Sequence, residues 1–377
     1  MPTPAKTPAG PPGGSGTITK AESYCRSRLT QSQQVAYDHL LAGLSDPNKI
    51  QSVTESGTTK YQIKVAVNYD ATSNLKSELE TILAALFMDH PELYYLGKQY
   101  SYSCQKNSLT ELRMFTIDQN TALSLQSQVE NGIRAYQQKV SPYQDQYEIA
   151  KQFYELLATN IQYGQDGTDH AYSVAGAFAN NLCVCEGFSE AYQLLLNAYG
   201  IRAFTVSGDA GGPHQWVAME INGRWYYSDP TWGNLKTYGD AASYPKAGYI
   251  RVSYSYLNLT QAMMNVDRTL DTASEHFTAN LNFTATQDNY FVREGGYFQN
   301  FQQDAVETYI KAAIADAIAN QRETVGIRME SKQAYDALIN YIYNHLSRVY
   351  HEAAGGYSCN LTYYPGEATY TVHISMH

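Results

Sequence analysis

HQWVAMEINGRWYYSD, residues 214–229, is the stretch from which the fold can be read. Asn222-Gly223 is the preferred pair for a two-residue type I′ hairpin turn, because both residues tolerate positive φ. A two-residue loop pairs Ile221 with Arg224, and the register runs back along both strands. Met219 then opposes Tyr226, Val217 opposes Ser228, and Trp216 opposes Asp229. Side chains alternate with a period of two, so His214, Trp216 and Asp229 share one face, and His214 and Asp229 become diagonal neighbours. The other face carries Gln215, Val217, Met219 and Ile221, an apolar set suited to a core. One turn signal thus sets an imidazole beside a carboxylate that can orient it.

A candidate nucleophile precedes the hairpin in CVCEGFSEAYQLLLNAYG, residues 183–200. Phe188, Tyr192, Leu195 and Tyr199 fall at helical spacing, and Gly200 is placed as the residue just past the helix end. A helix starting near Cys185 sets that thiol at the positive end of the helix dipole, which favours the thiolate, the reactive form. Cys183 lies off the helix start and is read as structural. The chain has five cysteines, too few for a disulfide scaffold of this length and odd in number. Cys183-Val184-Cys185 has neither the spacing nor the second ligand pair of a zinc site, so no metal or cofactor is expected.

VCEGFSEAYQLLLNAYGI followed by PHQWVAMEINGRWYYSDPTW resembles the bacterial transglutaminase-like superfamily, in which a Cys-x-Gly-aromatic helix start precedes a His-x-Trp strand and a Trp-Tyr-x-x-Asp strand. The resemblance implies an α+β fold: a papain-like, transglutaminase-like core, with the helix carrying the cysteine packed on an antiparallel sheet and small α+β units flanking it. It implies Cys185 as nucleophile, His214 as general base and Asp229 as the residue that orients the base. An oxyanion hole would use the Cys185 backbone N–H and one upstream side chain, for which Tyr172 and Asn181 are the candidates. Trp216 and Trp232 are read as pocket wall. Two departures stand out. Ala175-Gly176-Ala177-Phe178 lacks the tyrosine common in the family, although Tyr172 is close, and His214-Gln215-Trp216-Val217 stands where relatives often have His-Ala-Trp-Asn.

The remainder of the 377-residue chain is less specific. Its formal charge of −10, without a Lys/Arg cluster, argues against nucleic acid or an anionic membrane as partner. No run of about 20 apolar residues is present to span a bilayer. Tyrosine is unusually common, 34 against 11 phenylalanines, and suits Tyr-rich strands. MPTPAKTPAGPPGGSG, residues 1–16, cannot build a core, so 1–20 is read as a disordered linker of the kind that follows a secretion signal or anchor. Three folded parts are expected after it: an N-terminal α+β unit (21–135), the transglutaminase-like core (136–284) and a C-terminal α+β unit (285–377). In the first, helices over Leu29–Leu44 and Leu75–Phe87 alternate with strands over Tyr61–Tyr69, Leu93–Cys104 and Leu112–Ile117. The last has helices over Ala305–Gln321 and Ser331–Leu346, a strand over Thr324–Met329, and a hairpin turning at Pro365-Gly366. The expected function is a secreted or cell-surface cysteine hydrolase acting on peptide or carboxamide bonds, with cell-wall peptide among the targets. A cross-linking transglutaminase with the same triad and an inactive binding module are the alternatives.

Overall fold

The computed structural model describes residues 21–55, 57–142, 144–234, 252–322, 324–357 and 359–376; the linker expected over 1–20 lies outside them. The described residues begin with a short helix α1 (Tyr24–Ser27) and α2 (Gln31–Leu44). A capping box starts α2: Gln33 N–H donates to Thr30 Oγ1, and the Gln33 side chain accepts from Thr30 N–H. Strands β1 (Gln51–Glu55) and β2 (Thr58–Asp70) follow, then α3 (Leu75–Asp89), which Pro91 ends, then β3 (Leu96–Gln105) and β4 (Ser108–Thr116). They form an antiparallel sheet in the order β1-β2-β4-β3. Helix α4 (Gln119–Gln137) closes this part and was not expected. Its buried residues Ala122, Leu125, Val129 and Tyr136 fall at helical spacing along an otherwise Gln/Ser/Asn-rich sequence.

The central part begins with α5 (Gln146–Asn160), capped by Asp145. A parallel pair, β5 (Gln162–Tyr163) and β6 (Leu182–Cys183), leads directly into α6 (Cys185–Ala198). Strands β7 (Ala203–Asp209), β8 (Pro213–Ile221) and β9 (Arg224–Ser228) come next. The β8–β9 register is the one the turn dictates, with Ile221 opposite Arg224, Met219 opposite Tyr226 and Val217 opposite Ser228. Asn222 and Gly223 have φ of 52° and 77°, the two positive values of a type I′ turn. Both faces of this sheet are covered. Val217, Met219 and Ile221 join a core with α5 and α6, while Phe204, Val206 and Trp216 join the core that also contains α2 and α3.

After the sheet come α7 (Gln261–Met264), β10 (Thr269–Leu270) and α8 (Thr272–Thr278). β10 pairs with the outer edge of β7, giving the order β10-β7-β8-β9. Gly208 makes that pairing possible, because a Cβ there would lie 1.9 Å from Thr269 O and 2.9 Å from a ring carbon of Trp216. Gly208→Ala is therefore expected to push β10 off the sheet and cost about 1–3 kcal/mol. Urea unfolding of the variant against wild type measures it.

The C-terminal part consists of α9 (Tyr290–Arg293), β11 (Tyr297–Phe298), α10 (Gln303–Ala319), β12 (Thr324–Met329), α11 (Lys332–Ala353), β13 (Leu361–Gly366) and β14 (Thr371–Met376). Its sheet runs β11-β12-β14-β13, and α10 and α11 share its core. The hairpin turn lies at 367–370, not at Pro365-Gly366, which end β13 itself. Proline is tolerated there because β13 is an edge strand and need not donate on its open side. The fold as a whole is α+β, with the cysteine-bearing helix packed against an antiparallel sheet.

Candidate active site

Cys185 is the first residue of α6, after Val184 in extended backbone, and its side chain is partly exposed. Two features of the motif explain this placement. Gly187 has no room for a side chain: a Cβ would meet Cys183 Cβ at 2.5 Å and Ser173 O at 2.8 Å, so a glycine two residues after the cysteine lets the first turn seat against β6. Ser189, one helical turn after Cys185, donates its hydroxyl to Gln215 O at 2.8 Å. That bond ties the cysteine's face of α6 to β8, beside His214. Cys183, by contrast, is fully buried in the core, and burial pushes its thiol well above the ordinary value.

The hairpin supplies the other two groups. His214 Nε2–H donates to Asp229 Oδ2 at 2.7 Å, leaving Nδ1 as the other ring nitrogen. The Cys185 thiol and this ring line the same cleft. Asp229 is fully buried; its Oδ1 accepts from the backbone N–H of Thr231 at 3.1 Å and of Trp232 at 3.4 Å. Its own backbone is held by Tyr256 O, which accepts from Asp229 N–H at 3.0 Å, and by the Tyr154 hydroxyl, which donates to Asp229 O at 3.1 Å.

The electrostatics follow from this packing. Burial works against protonation of His214, but the Asp229 carboxylate and its hydrogen bond, helped by Cys185, lift the imidazole to about 9. Burial likewise opposes the charge on Asp229, and the His214 and Arg268 cations beside it hold it down to about 2. A histidine raised from an unfolded value of about 6.5 stabilises the fold fully below that pH and stops doing so as pH passes the folded value. Wild-type stability is thus expected to fall between about pH 6.5 and 9. Urea midpoints across that range should show the decline in wild type and a smaller one in His214→Ala.

Arg268 was not anticipated from the sequence. It stands between α7 and β10, and its side chain is completely buried. Nη2 donates to Asp229 Oδ2 at 2.8 Å and Nη1 to Asp267 Oδ1 at 2.6 Å. The guanidinium carbon lies 3.9 Å from the Tyr256 ring centre and 4.8 Å from that of Trp232. An isolated Asp-Arg pair in a short irregular segment has no period or spacing that would reveal this.

The cleft in front of Cys185 and His214 encloses about 620 Å³. Of the two oxyanion candidates, Tyr172 lines it; Asn181 does not, and instead caps a π-helical turn (Gly176–Asn180) in left-handed backbone at φ 52°. Trp216 and Trp232 are not on the wall either. Trp216 is buried and stacks on the His214 ring at 6.1 Å, and Trp232 meets that ring edge-on at 6.3 Å. They brace the imidazole from behind, because the face His214 shares with Trp216 turns into the core shared with α2 and α3. The rim carries Glu186, Asp209 and Asp271 against Lys98, which itself pairs with Glu186. Among the described residues no cluster of three or more His, Cys, Asp or Glu is placed to hold a metal ion, and no helix is long and apolar enough to cross a membrane.

Residues 134–230 match the family model of the transglutaminase-like superfamily. No curated protein matches the chain. Among solved structures it is similar to a TGase, at 16% identity and a TM-score of 0.26, over 49% of this chain and 55% of that one. It is similar to a protein assigned as a cysteine protease from Cytophaga hutchinsonii, at 14% identity and a TM-score of 0.24, over 35% and 61%. A third is the periplasmic domain of TgpA from Pseudomonas aeruginosa, at 14% identity and a TM-score of 0.22, over 48% and 75%. The chain thus spans between half and two thirds of the length of the first two.

Proposed function

We propose that this chain is an acyl-transfer enzyme acting on peptide or carboxamide bonds, with hydrolysis as its main outcome; residues 134–230 match the transglutaminase-like superfamily, whose members are generally cysteine-dependent enzymes. One observation carries the reading: the thiol of Cys185 at a helix start and the ring of His214 line one open cleft, and the buried carboxylate of Asp229 accepts from that ring. Sγ attacks the carbonyl carbon as a thiolate, its proton already held by the His214 imidazolium. The tetrahedral adduct then collapses as His214 returns that proton to the leaving amine, giving a thioester. Asp229 holds the tautomer and stabilises the imidazolium. The Cys185 N–H and the Tyr172 hydroxyl are the proposed oxyanion donors; Gln165 Nε2 donates to the Tyr172 oxygen at 2.6 Å, so the tyrosine's own proton is available to the cleft.

Water then attacks the thioester, activated by His214, and frees the enzyme. We take 136–284 as the catalytic unit, 21–135 and 285–377 as flanking units, and the cell surface as the place of action, on the strength of the Pro/Gly-rich 1–16. Cell-wall peptides are the substrate class to try first. A peptide and carboxamide panel, with and without a primary amine donor, tests the reading. Cys185-dependent release that the amine leaves unchanged is expected. Amine incorporation exceeding hydrolysis would make the protein a cross-linking transferase, and no turnover on any member would favour a binding module.

A further inference from the structure

We propose that Arg268 is a positioning residue of this site: it keeps Asp229 ionised through the reaction and sets the pH range in which His214 gives up its proton. The functional meaning rests on the acyl-transfer reading above; the geometry does not. Arg268 Nη2 and His214 Nε2 converge on the same carboxylate oxygen, at 2.8 and 2.7 Å. The other oxygen is taken by two backbone N–H groups, so the buried carboxylate is coordinated without solvent. Arg268 is itself held rigid. Its plane lies against Tyr256 and Trp232, and its second nitrogen is tied to Asp267, which also accepts from the Tyr256 hydroxyl.

Two consequences follow from placing a permanent cation there. When His214 has passed its proton to the leaving group it is neutral, and a fully buried Asp229 would then lack a counter-charge and tend to take up a proton itself. Arg268 supplies that counter-charge at every stage. When His214 is an imidazolium, Arg268 shares the same carboxylate, so the ring is held less tightly than Asp229 alone would hold it and releases its proton at lower pH. The other ionisable groups facing the pair are Cys185 from α6, Tyr154 from α5, Tyr163 from β5, and Tyr256 and Asp267 beside Arg268 itself. Burial keeps the three tyrosines protonated at neutral pH, and Asp267 is already paired with Arg268. Of the charged residues of the cleft rim, Lys98, Asp209 and Asp271 are exposed, and the half-buried Glu186 is paired with Lys98.

The test is the titration of the His214 ring by NMR of ¹³C-labelled histidine, assigned with His214→Ala, in wild type, Arg268→Gln and Arg268→Lys. The His214 inflection should rise by about one pH unit in Arg268→Gln and return towards wild type in Arg268→Lys, which restores the charge. An unchanged inflection in folded Arg268→Gln, or equal shifts in both variants, overturns the proposal. A second arm covers the case in which Arg268→Gln does not fold. In His214→Ala, the Asp229 carboxyl, followed by ¹³C-aspartate labelling, should still titrate below the ordinary value of about 3.9, and a value above it overturns the proposal. Neither readout needs a substrate, so a protein without turnover would remove the proposed function while leaving this test intact.

Discussion

Replacing Cys185 with alanine is expected to lower the acyl-transfer rate by about 10⁴-fold or more while leaving stability within about 0.5 kcal/mol of wild type. The loss is large because no other thiol can substitute. Cys183, the nearest in sequence, is fully buried against Gly187 with its thiol pushed well above the ordinary range. The stability effect is small because Cys185 is partly exposed at the first position of α6, where alanine is at least as good a helix former. Activity on the cleaved substrate and urea unfolding, measured on one preparation, separate the two effects. A variant that keeps more than a tenth of wild-type activity would place the nucleophile elsewhere.

Asp229→Asn is expected to cost both activity and stability. An amide cannot hold His214 in the same tautomer or balance its charge, and loss of an orienting carboxylate in such triads costs about 10⁴ in rate. Here the damage goes further, because Arg268 is also fully buried and loses the Asp229 carboxylate. Removing one partner of a buried ion pair costs about 3–5 kcal/mol, and Asp267, whose side chain is 20% exposed, offsets only part of it. About 3 kcal/mol of destabilisation in urea is therefore expected. The double variant Asp229→Asn/Arg268→Gln should lose less than the sum of the two single changes, since it removes both charges of the buried pair together. Additive losses would show that the two side chains are energetically independent despite their 2.8 Å contact.

What the sequence discloses and what it hides divide along physical lines. Asn222-Gly223 admits one turn type, and a two-residue turn admits one register, so the placement of His214 beside Asp229 follows from local chemistry alone. The start of α6 at Cys185 is equally local, set by helical spacing after it and by a glycine at the helix end. Arg268 is the opposite case. It reaches Asp229 only because β10 adds to the β7 edge, and that pairing depends on the missing side chain of Gly208, 60 residues before it in the chain. Long-range pairing leaves no periodic trace. The same holds for the tryptophans: Trp216 shares the His214 face, as alternation requires, but whether that face is a cleft or a core depends on α2 and α3 covering it. In α4 the apolar stripe is diluted by Gln, Ser and Asn, and in the C-terminal hairpin a proline at the end of an edge strand looks like a turn proline.

The most direct measurement is the pH dependence of Cys185 alkylation by iodoacetamide, followed by mass spectrometry, in wild type and His214→Ala. An activated pair predicts rapid labelling at about pH 6 that slows in the variant. Labelling that rises only near the free-thiol value of about 8.5, and identically in both proteins, would contradict it.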